Sequence, residues 1–463
     1  MECDVAVLGG GPAGYTAAIR AAQLGAKVVC IEQERALGGT CLRVGCIPTK
    51  AWVQTAHALH DAHETFAKLG VVVEEPALDF GTAVSWKDAV VEQMTGGIAG
   101  LFKANGVEWV KGAGRFTGPN TIAVEGADDV TFAQAIVATG SAPVRPPISG
   151  LDSPRCVDST GLLAQTEVPR RLVILGGGII GCEFASIFDR FGSEVTIVEL
   201  LDSLIPTEDA DAAKELGRAF GKRGIELRLG KQCTQVDDRG ESLLVHVADG
   251  EPIECDLMLV AVGRRAVVEG IGLEAVGVTF EPGRIPTDDH RRTNVSHIYA
   301  AGDVAGYWQL AHTGFREGEI AAENAMGHEA TIGEPAVPRP IYTDPEIAGV
   351  GLTEAQARER FGDDKIAVGR CPWAAIARAV MSGDTTGWVK TIHETTYGEL
   401  VGVVIVGPHA TDLIGEAVVA LDAESTIETL ADGIAPHPTY AESLKEAGLA
   451  ALGRAIHLPP RRR

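Results

Sequence analysis

The sequence predicts an α/β protein with two doubly wound, parallel-sheet halves followed by a smaller C-terminal α+β unit. Three observations predict it. A strand–glycine turn–helix–strand segment occurs twice, each copy ends on an acid, and the pattern changes character after about Pro340.

The first copy, VAVLGGGPAGYTAAIRAAQLGAKVVCIE, places Gly9, Gly11 and Gly14 behind a strand and closes the next strand on Glu32. The second, LVILGGGIIGCEFASIFDRFGSEVTIVE, has Gly176, Gly178, Gly181 and Glu199, each 167 positions after its counterpart. In such a unit the first glycine allows the tight turn, the second lets the backbone approach a pyrophosphate, and the third lets helix and strand pack closely. The helix N-terminus offers free N–H groups and a positive dipole end to the phosphates. The acid can accept hydrogen bonds from ribose hydroxyls. One such turn is weak evidence, because any tight strand-to-helix turn can use glycines. Two complete copies predict two Rossmann-like dinucleotide-binding domains. Glu199 would repel a 2′-phosphate, and Leu200 to Ile205 hold no arginine or lysine to attract one, so the second site suits NAD better than NADP.

Further segments complete the reading. The strands in QAIVATG and LMLVAVG end the two copies and are followed by Thr139–Gly140 and Gly263. HIYAAGDV sets Gly302 and Asp303 after another buried strand. Beyond Pro340, GELVGVVIVG reads as a strand, TDLIGEAVVALDA as a helix, and a second helix follows HPTYAES.

Composition narrows the function. A chain of 463 residues has room for about three domains, and 45% hydrophobic with 22% charged residues is globular. A net charge of −23 repels polyanions and argues against nucleic acid as a partner. No uninterrupted apolar run reaches the length of a membrane span. The N-terminus, MECDVAVLGGG, reads as a strand rather than a signal peptide, and nine cysteines are no disulfide scaffold. The expectation is a cytoplasmic, mostly reduced protein. Cys30 and Cys182, inside apolar segments, are expected to be buried small hydrophobes, and Arg461, Arg462 and Arg463 a solvated tail.

Cys41 and Cys46 stand apart, in GGTCLRVGCIPTK (38–50). With no second nearby pair they make a poor zinc site, and no metal is expected. A ring this small adds little stability as a structural disulfide. In a regular helix, residues five apart have Cα atoms about 8–9 Å apart, beyond the usual disulfide limit of about 7 Å. The turn must therefore be distorted, and Gly39, Gly45 and Pro48 supply the irregularity. A tightly looped pair beside a dinucleotide unit points to a redox-active disulfide.

This stretch, following the first glycine turn and Glu32, resembles the active site of the FAD-dependent pyridine nucleotide–disulfide oxidoreductases. ATGS (138–141), GGGIIGCEFA (176–185), YAAGDV (299–304), LAH (310–312), YTDPEIAGVG (342–351) and HPTYAE (437–442) follow in the family's order. Within the family the pattern is most similar to the branch acting on dihydrolipoamide. The resemblance implies that Gly9, Gly11, Gly14 and Glu32 hold FAD. Gly39, Thr40, Thr139, Gly140, Gly302, Ala311 and His312 would join them, with Asp303 on the ribityl–phosphate chain. Gly176, Gly178, Gly181, Glu199 and Gly263 would hold NAD, with Glu183 beside it. Cys46 would lie against the flavin and Cys41 would face the substrate. Lys50 would sit near the flavin and pair with Glu183. His437, oriented by Glu442, would serve as base in the active site of the other subunit of a homodimer. The implied divisions are 1–148 for FAD with the cysteines, 149–270 for NAD, 271–339 completing the FAD site, and 340–463 as the dimerisation domain.

Other branches of the family fit less well. Ile179 stands where glutathione reductase-like enzymes have a tyrosine, and after Cys371 there is no further cysteine to form a second redox pair. The chain also departs from the commonest dihydrolipoamide pattern at Arg43, Thr49 and Pro436. Arg43 either lowers the pKa of Cys41 or points to solvent. The expected partner is free dihydrolipoamide or a lipoyl-bearing protein, in a 2-oxo-acid dehydrogenase or glycine cleavage complex. The alternatives are an NADH-dependent reductase of another small disulfide or a quinone, and a chiefly structural role docked in such a complex.

Overall fold

The computed structural model describes residues 1–333 and 336–459, so the terminal arginines 461–463 lie outside the described residues. Its first sheet is centred on the strand Glu2–Leu8, flanked in parallel by Val28–Glu32 and Val130–Val137. All five residues of Val28–Glu32 are buried, as expected of a parallel strand covered on both faces. The strand Ile298–Ala300, from a distant part of the chain, adds to the same sheet by pairing with Val130–Val137.

The second sheet repeats the arrangement. Arg171–Leu175 is flanked in parallel by Glu194–Val198 and Leu257–Val260. The segments quoted as QAIVATG and LMLVAVG therefore occupy equivalent places, each beside the strand that feeds a glycine turn. The third sheet is antiparallel, in the order Arg339–Ile341, Ile347–Gly351, Leu400–Val406, Trp388–Glu394, Ile366–Pro372. Its two middle strands, Trp388–Glu394 and Leu400–Val406, are buried at every residue, and helices Ala410–Asp422 and Glu442–Ala451 form where the sequence placed them. The α/β class with a C-terminal α+β unit is thus as the sequence predicts.

Close approach explains the glycines. Gly9 has φ +109°, and a Cβ there would lie 2.3 Å from the Ala138 carbonyl oxygen. Gly176, at φ +113°, would clash in the same way with Ala261 at 2.4 Å. A Cβ on Gly14 or Gly181 would strike the carbonyl oxygen of Gly9 or Gly176, at 1.8 and 2.0 Å. Small residues also bring helix Pro12–Gln23 against helix Ala311–Ala325, where a Cβ on Gly318 would lie 2.3 Å from the Ala13 oxygen. Arg20 and Glu323 close this contact with a 2.6 Å ion pair.

A buried charge cluster fastens the third sheet to the second unit. Lys390 is 1% exposed and its Nζ meets Asp209 at 2.7 Å, Asp211 at 2.8 Å and Glu354 at 3.1 Å. A buried cation with one partner removed is costly, by about 3–5 kcal/mol, so the cluster fixes the docking geometry. No helix among the described residues is long and apolar enough to cross a membrane.

Candidate active site

The helix that carries the cysteines is broken where the sequence required. Gly39–Val44 and Cys46–His60 are separate helices joined at Gly45, whose φ −143° and ψ −112° leave the helical region. Gly39 has φ +57°, and a Cβ there would meet the Gly11 Cα at 2.6 Å, so the cysteine segment lies directly on the first glycine turn. Pro48 falls in the first turn of the second helix, where its missing N–H costs nothing.

Cys41 and Cys46 are free thiols in contact, Cys41 half-buried and Cys46 exposed. The hydrogen bond from the Cys41 thiol, helped by the Lys50 ammonium one helical turn on, brings Cys46 down to about 7 against the opposing effect of burial. Donating that bond, together with burial, pushes Cys41 far up. The pair therefore has one thiolate and one thiol at neutral pH. The sign follows directly: the Cys46 thiolate persists as pH falls to about 7, where an ordinary thiol is protonated. In the reduced protein, alkylation of Cys46 should be half-maximal near pH 7, with Cys41 the slower site, as followed by peptide mass mapping. The other seven cysteines are buried, as expected for Cys30 and Cys182.

Lys50 is the centre of a second group. Its Nζ bonds both Glu183 oxygens, at 2.9 and 2.7 Å. Burial would push the Lys50 ammonium down, but the Glu183 and Cys46 charges outweigh it and hold it above its ordinary value. Glu183 comes from helix Ile179–Arg190, which begins at the second glycine turn. This pair connects the two nucleotide-binding halves beside the thiols.

Arg43 does neither of the things its position suggested. Its guanidinium donates to Glu34 at 2.7 Å, so it neither tunes the thiols nor projects free into solvent. A partly exposed pair of this kind contributes about 0–1 kcal/mol. Arg43→Ala should leave the alkylation midpoint of Cys46 unchanged and lower stability by no more than that, measured by thermal unfolding.

The glycine turns fit dinucleotides. Gly11 and Gly178 are the N-caps of helices Pro12–Gln23 and Ile179–Arg190 with no side-chain cap, which leaves their N–H groups free for phosphate. A Cβ on Gly178 would meet nothing within 4 Å. Glu32 accepts from the Gly10 N–H at 2.7 Å, and Glu199 from the Gly177 N–H at 2.5 Å and the Leu201 N–H at 2.7 Å. Both acids are therefore fixed beside their turns. The two turns, both cysteines and the Lys50–Glu183 pair open onto one continuous cleft of about 2940 Å³.

Thr40, Thr139, Gly140, Asp303, Ala311 and His312 also line this cleft, as do Gly302 and Gly263. His312 bonds the Pro338 carbonyl at 2.8 Å, and burial holds its pKa below the ordinary value. Asp303 accepts from the Ser141 hydroxyl at 2.5 Å, and Arg264 donates to Ser141 Oγ at 2.8 Å and O at 2.7 Å. The Gly302 N–H donates to buried Glu317 at 2.7 Å. Ser141 closes the ATGS segment, and Arg264 directly follows Gly263. Glu317 is one of three glutamates in its helix, and its buried contact with the Gly302 N–H leaves no mark in the local sequence.

His437 is not among the residues lining the cleft. It is 71% exposed, and its Nδ1 meets Glu442 at 2.8 Å, which leaves Nε2 outward. Glu442 also accepts from the Thr439 N–H at 2.9 Å, and these bonds outweigh burial and hold its carboxyl below the usual range. The structure thus joins the cysteines, Lys50 and both glycine turns, and sets the His437–Glu442 pair apart from them within one chain. No group of three or more His, Cys, Asp or Glu among the described residues could hold a metal ion.

Comparison with known proteins agrees with this architecture. Residues 3–318 match the model of the pyridine nucleotide-disulphide oxidoreductase family, and residues 337–448 match the dimerisation domain of the same family. Dihydrolipoyl dehydrogenase from Bacillus subtilis is 41% identical over 98% of this chain and 99% of its own. The mitochondrial dihydrolipoyl dehydrogenase of Pisum sativum is 41% identical, over 99% of this chain and 93% of its own. Among solved structures, an HOCl-induced flavoprotein disulfide reductase from Escherichia coli superposes with a TM-score of 0.87 at 30% identity, covering 96% of this chain and 99% of its own. The chain belongs to the pyridine nucleotide-disulphide oxidoreductase family.

Proposed function

We propose that the protein is an FAD-dependent dehydrogenase that oxidises dihydrolipoamide through a Cys41–Cys46 disulfide and passes the electrons to NAD. The observation that carries this reading is the asymmetric thiol pair, opening with both glycine turns onto one cleft. Full-length relatives named dihydrolipoyl dehydrogenase support the substrate.

The residues divide the work. In the oxidised protein a substrate thiolate attacks Cys41 Sγ, the S–S bond breaks, and Cys46 leaves with the electron pair as thiolate. A thiol held near 7 is the better leaving group of the two, so attack at Cys41 is the favoured direction. The second substrate thiol then attacks the substrate sulfur of the mixed disulfide. Cys41 is released and cyclic lipoamide departs, while the protons lost by the dithiol go to the partner's His437, braced by Glu442. Lys50 stabilises the Cys46 thiolate, Glu183 holds the Lys50 ammonium in place, and the pair joins the first nucleotide turn to the second. FAD, when bound, would accept the electron pair from the dithiol and supply hydride to NAD.

The first glycine turn, with Glu32, Gly39, Thr40, Thr139, Gly140, Gly302, Asp303, Ala311 and His312, would hold FAD. Gly176, Gly178, Gly181, Glu199 and Gly263 would hold NAD. Residues 1–148 and 271–339 form the FAD part on this reading, 149–270 the NAD part, and 340–463 the dimer interface that brings His437 across. A lipoyl-bearing protein of a 2-oxo-acid dehydrogenase or glycine cleavage complex is the natural partner.

The test is the rate of NADH formation from NAD and dihydrolipoamide by the flavin-loaded protein. Its absence, with NADH oxidation by another small disulfide present, would assign the protein to the reductase reading, in line with the structurally similar flavoprotein disulfide reductase of Escherichia coli.

A further inference from the structure

Tyr342 is the first residue after the strand Arg339–Ile341, at the point where the third sheet meets the cleft. Its ring lies under the Lys50 ammonium, with Nζ 4.5 Å from the ring centroid. Its backbone N–H donates to Glu183 Oε1 at 3.0 Å, the same carboxylate that pairs with Lys50. Residues 50, 183 and 342, distant in sequence and on three different sheets' connections, therefore meet at one point.

The turn that presents the ring is firmly held. The Asp344 carboxylate accepts from Arg190 at 2.5 Å, its N–H donates to Ser186 Oγ at 3.0 Å, and its carbonyl accepts from Arg223 at 2.9 Å. Ser186 and Arg190 belong to the helix that carries Glu183. Thr411, which acts on the hydroxyl end of the ring, donates to Glu346 through both its N–H and its hydroxyl, at 3.0 and 2.9 Å. A side chain presented by a turn held in this way is suited to fixing its neighbours.

We propose that Tyr342 is a positioning residue: its aromatic face and its backbone N–H together hold the Lys50–Glu183 pair in place beside Cys46. A cation over an aromatic face is attracted by the ring quadrupole, more strongly when water is excluded. Without the ring, the ammonium gains freedom and water, and its field at Cys46 weakens. The charged and titratable groups acting on Lys50 and Cys46 are Cys41, Glu183, Tyr342 itself and, at longer range, Arg264. Thus the interface domain, through Tyr342, helps set how readily Cys46 ionises.

The inference rests on the proposed relay only in singling out Cys46, and its test needs neither dithiol substrate nor NAD. Failure of NAD reduction and failure of this proposal are therefore separate results. The flavin-loaded dimer is reduced with a phosphine, alkylated across a pH series and digested with trypsin. Cleavage after Arg43 puts Cys41 and Cys46 on different peptides. In Tyr342→Leu the midpoint for Cys46 should move up by about half a pH unit or more, roughly a threefold loss of thiolate below the midpoint. Tyr342→Phe, which keeps the ring, should match the wild type. Tyr342→Met replaces the leucine variant if that protein fails to fold. A wild-type midpoint in a folded leucine or methionine variant would overturn the proposal. So would a phenylalanine variant shifted as far as the leucine one, because the ring would then not be the acting group.

Discussion

Cys46→Ser should lose dihydrolipoamide-dependent NAD reduction by more than about 10³-fold, the range seen when a covalent participant is removed. The exchange sequence requires Cys46 twice: as the leaving thiolate in the first attack and as the donor of the electron pair afterwards. A serine hydroxyl can do neither at neutral pH. Folding should be intact, because Cys46 is exposed and lies outside the hydrophobic cores. The melting temperature is the control. NADH oxidation by a quinone needs no cysteine and should persist, which separates loss of the relay from loss of the cofactor sites. A serine variant keeping more than about a tenth of the dithiol activity would remove the disulfide from the mechanism.

The second large effect belongs to His437, and it has an unusual signature. His437→Gln should lower the same activity by about 10²–10⁴-fold, as expected for loss of a general base. The side chain lies outside its own chain's cleft, so the proposal requires it to act across the dimer. Mixed dimers test this. A dimer with one Cys46→Ser chain and one His437→Gln chain contains one complete site, because the intact cysteines of one chain face the intact histidine of the other. Co-expressed chains with separate tags should recover close to half the wild-type activity per dimer. If His437 acted within its own chain, both sites would be defective and no recovery would be seen.

Much of this architecture is legible in the sequence because glycine leaves a strong mark. The repeat of Gly9, Gly11 and Gly14 at Gly176, Gly178 and Gly181 reports backbone approaches that admit no side chain, and the structure shows those clashes directly. The distorted turn around Cys41 and Cys46 follows from helix geometry once the two cysteines are required to bond, and Gly45 is where it breaks. Other features depend on partners that no local pattern reveals. The sequence sets Arg43 two residues from Cys41, but the chain folds it back onto Glu34. Arg264, Glu317 and Tyr342 act through contacts with residues 141, 302 and 50, and a reading limited to spacing cannot bring these together. Lys390 sits in a strand whose every residue is buried, and its three carboxylate partners come from other elements, which the local sequence does not reveal.

The central claim, that electrons from dihydrolipoamide pass through Cys41 and Cys46 to FAD and then to NAD, is tested most directly by an anaerobic titration followed in the visible spectrum. Dihydrolipoamide should produce, at two electrons per flavin, the long-wavelength absorbance of a thiolate against oxidised flavin, and NAD added next should discharge it with formation of NADH. If NADH generates that band and dihydrolipoamide does not, the cysteine relay stands and the substrate is wrong. If neither generates it, Cys46 does not face the flavin and the account is contradicted.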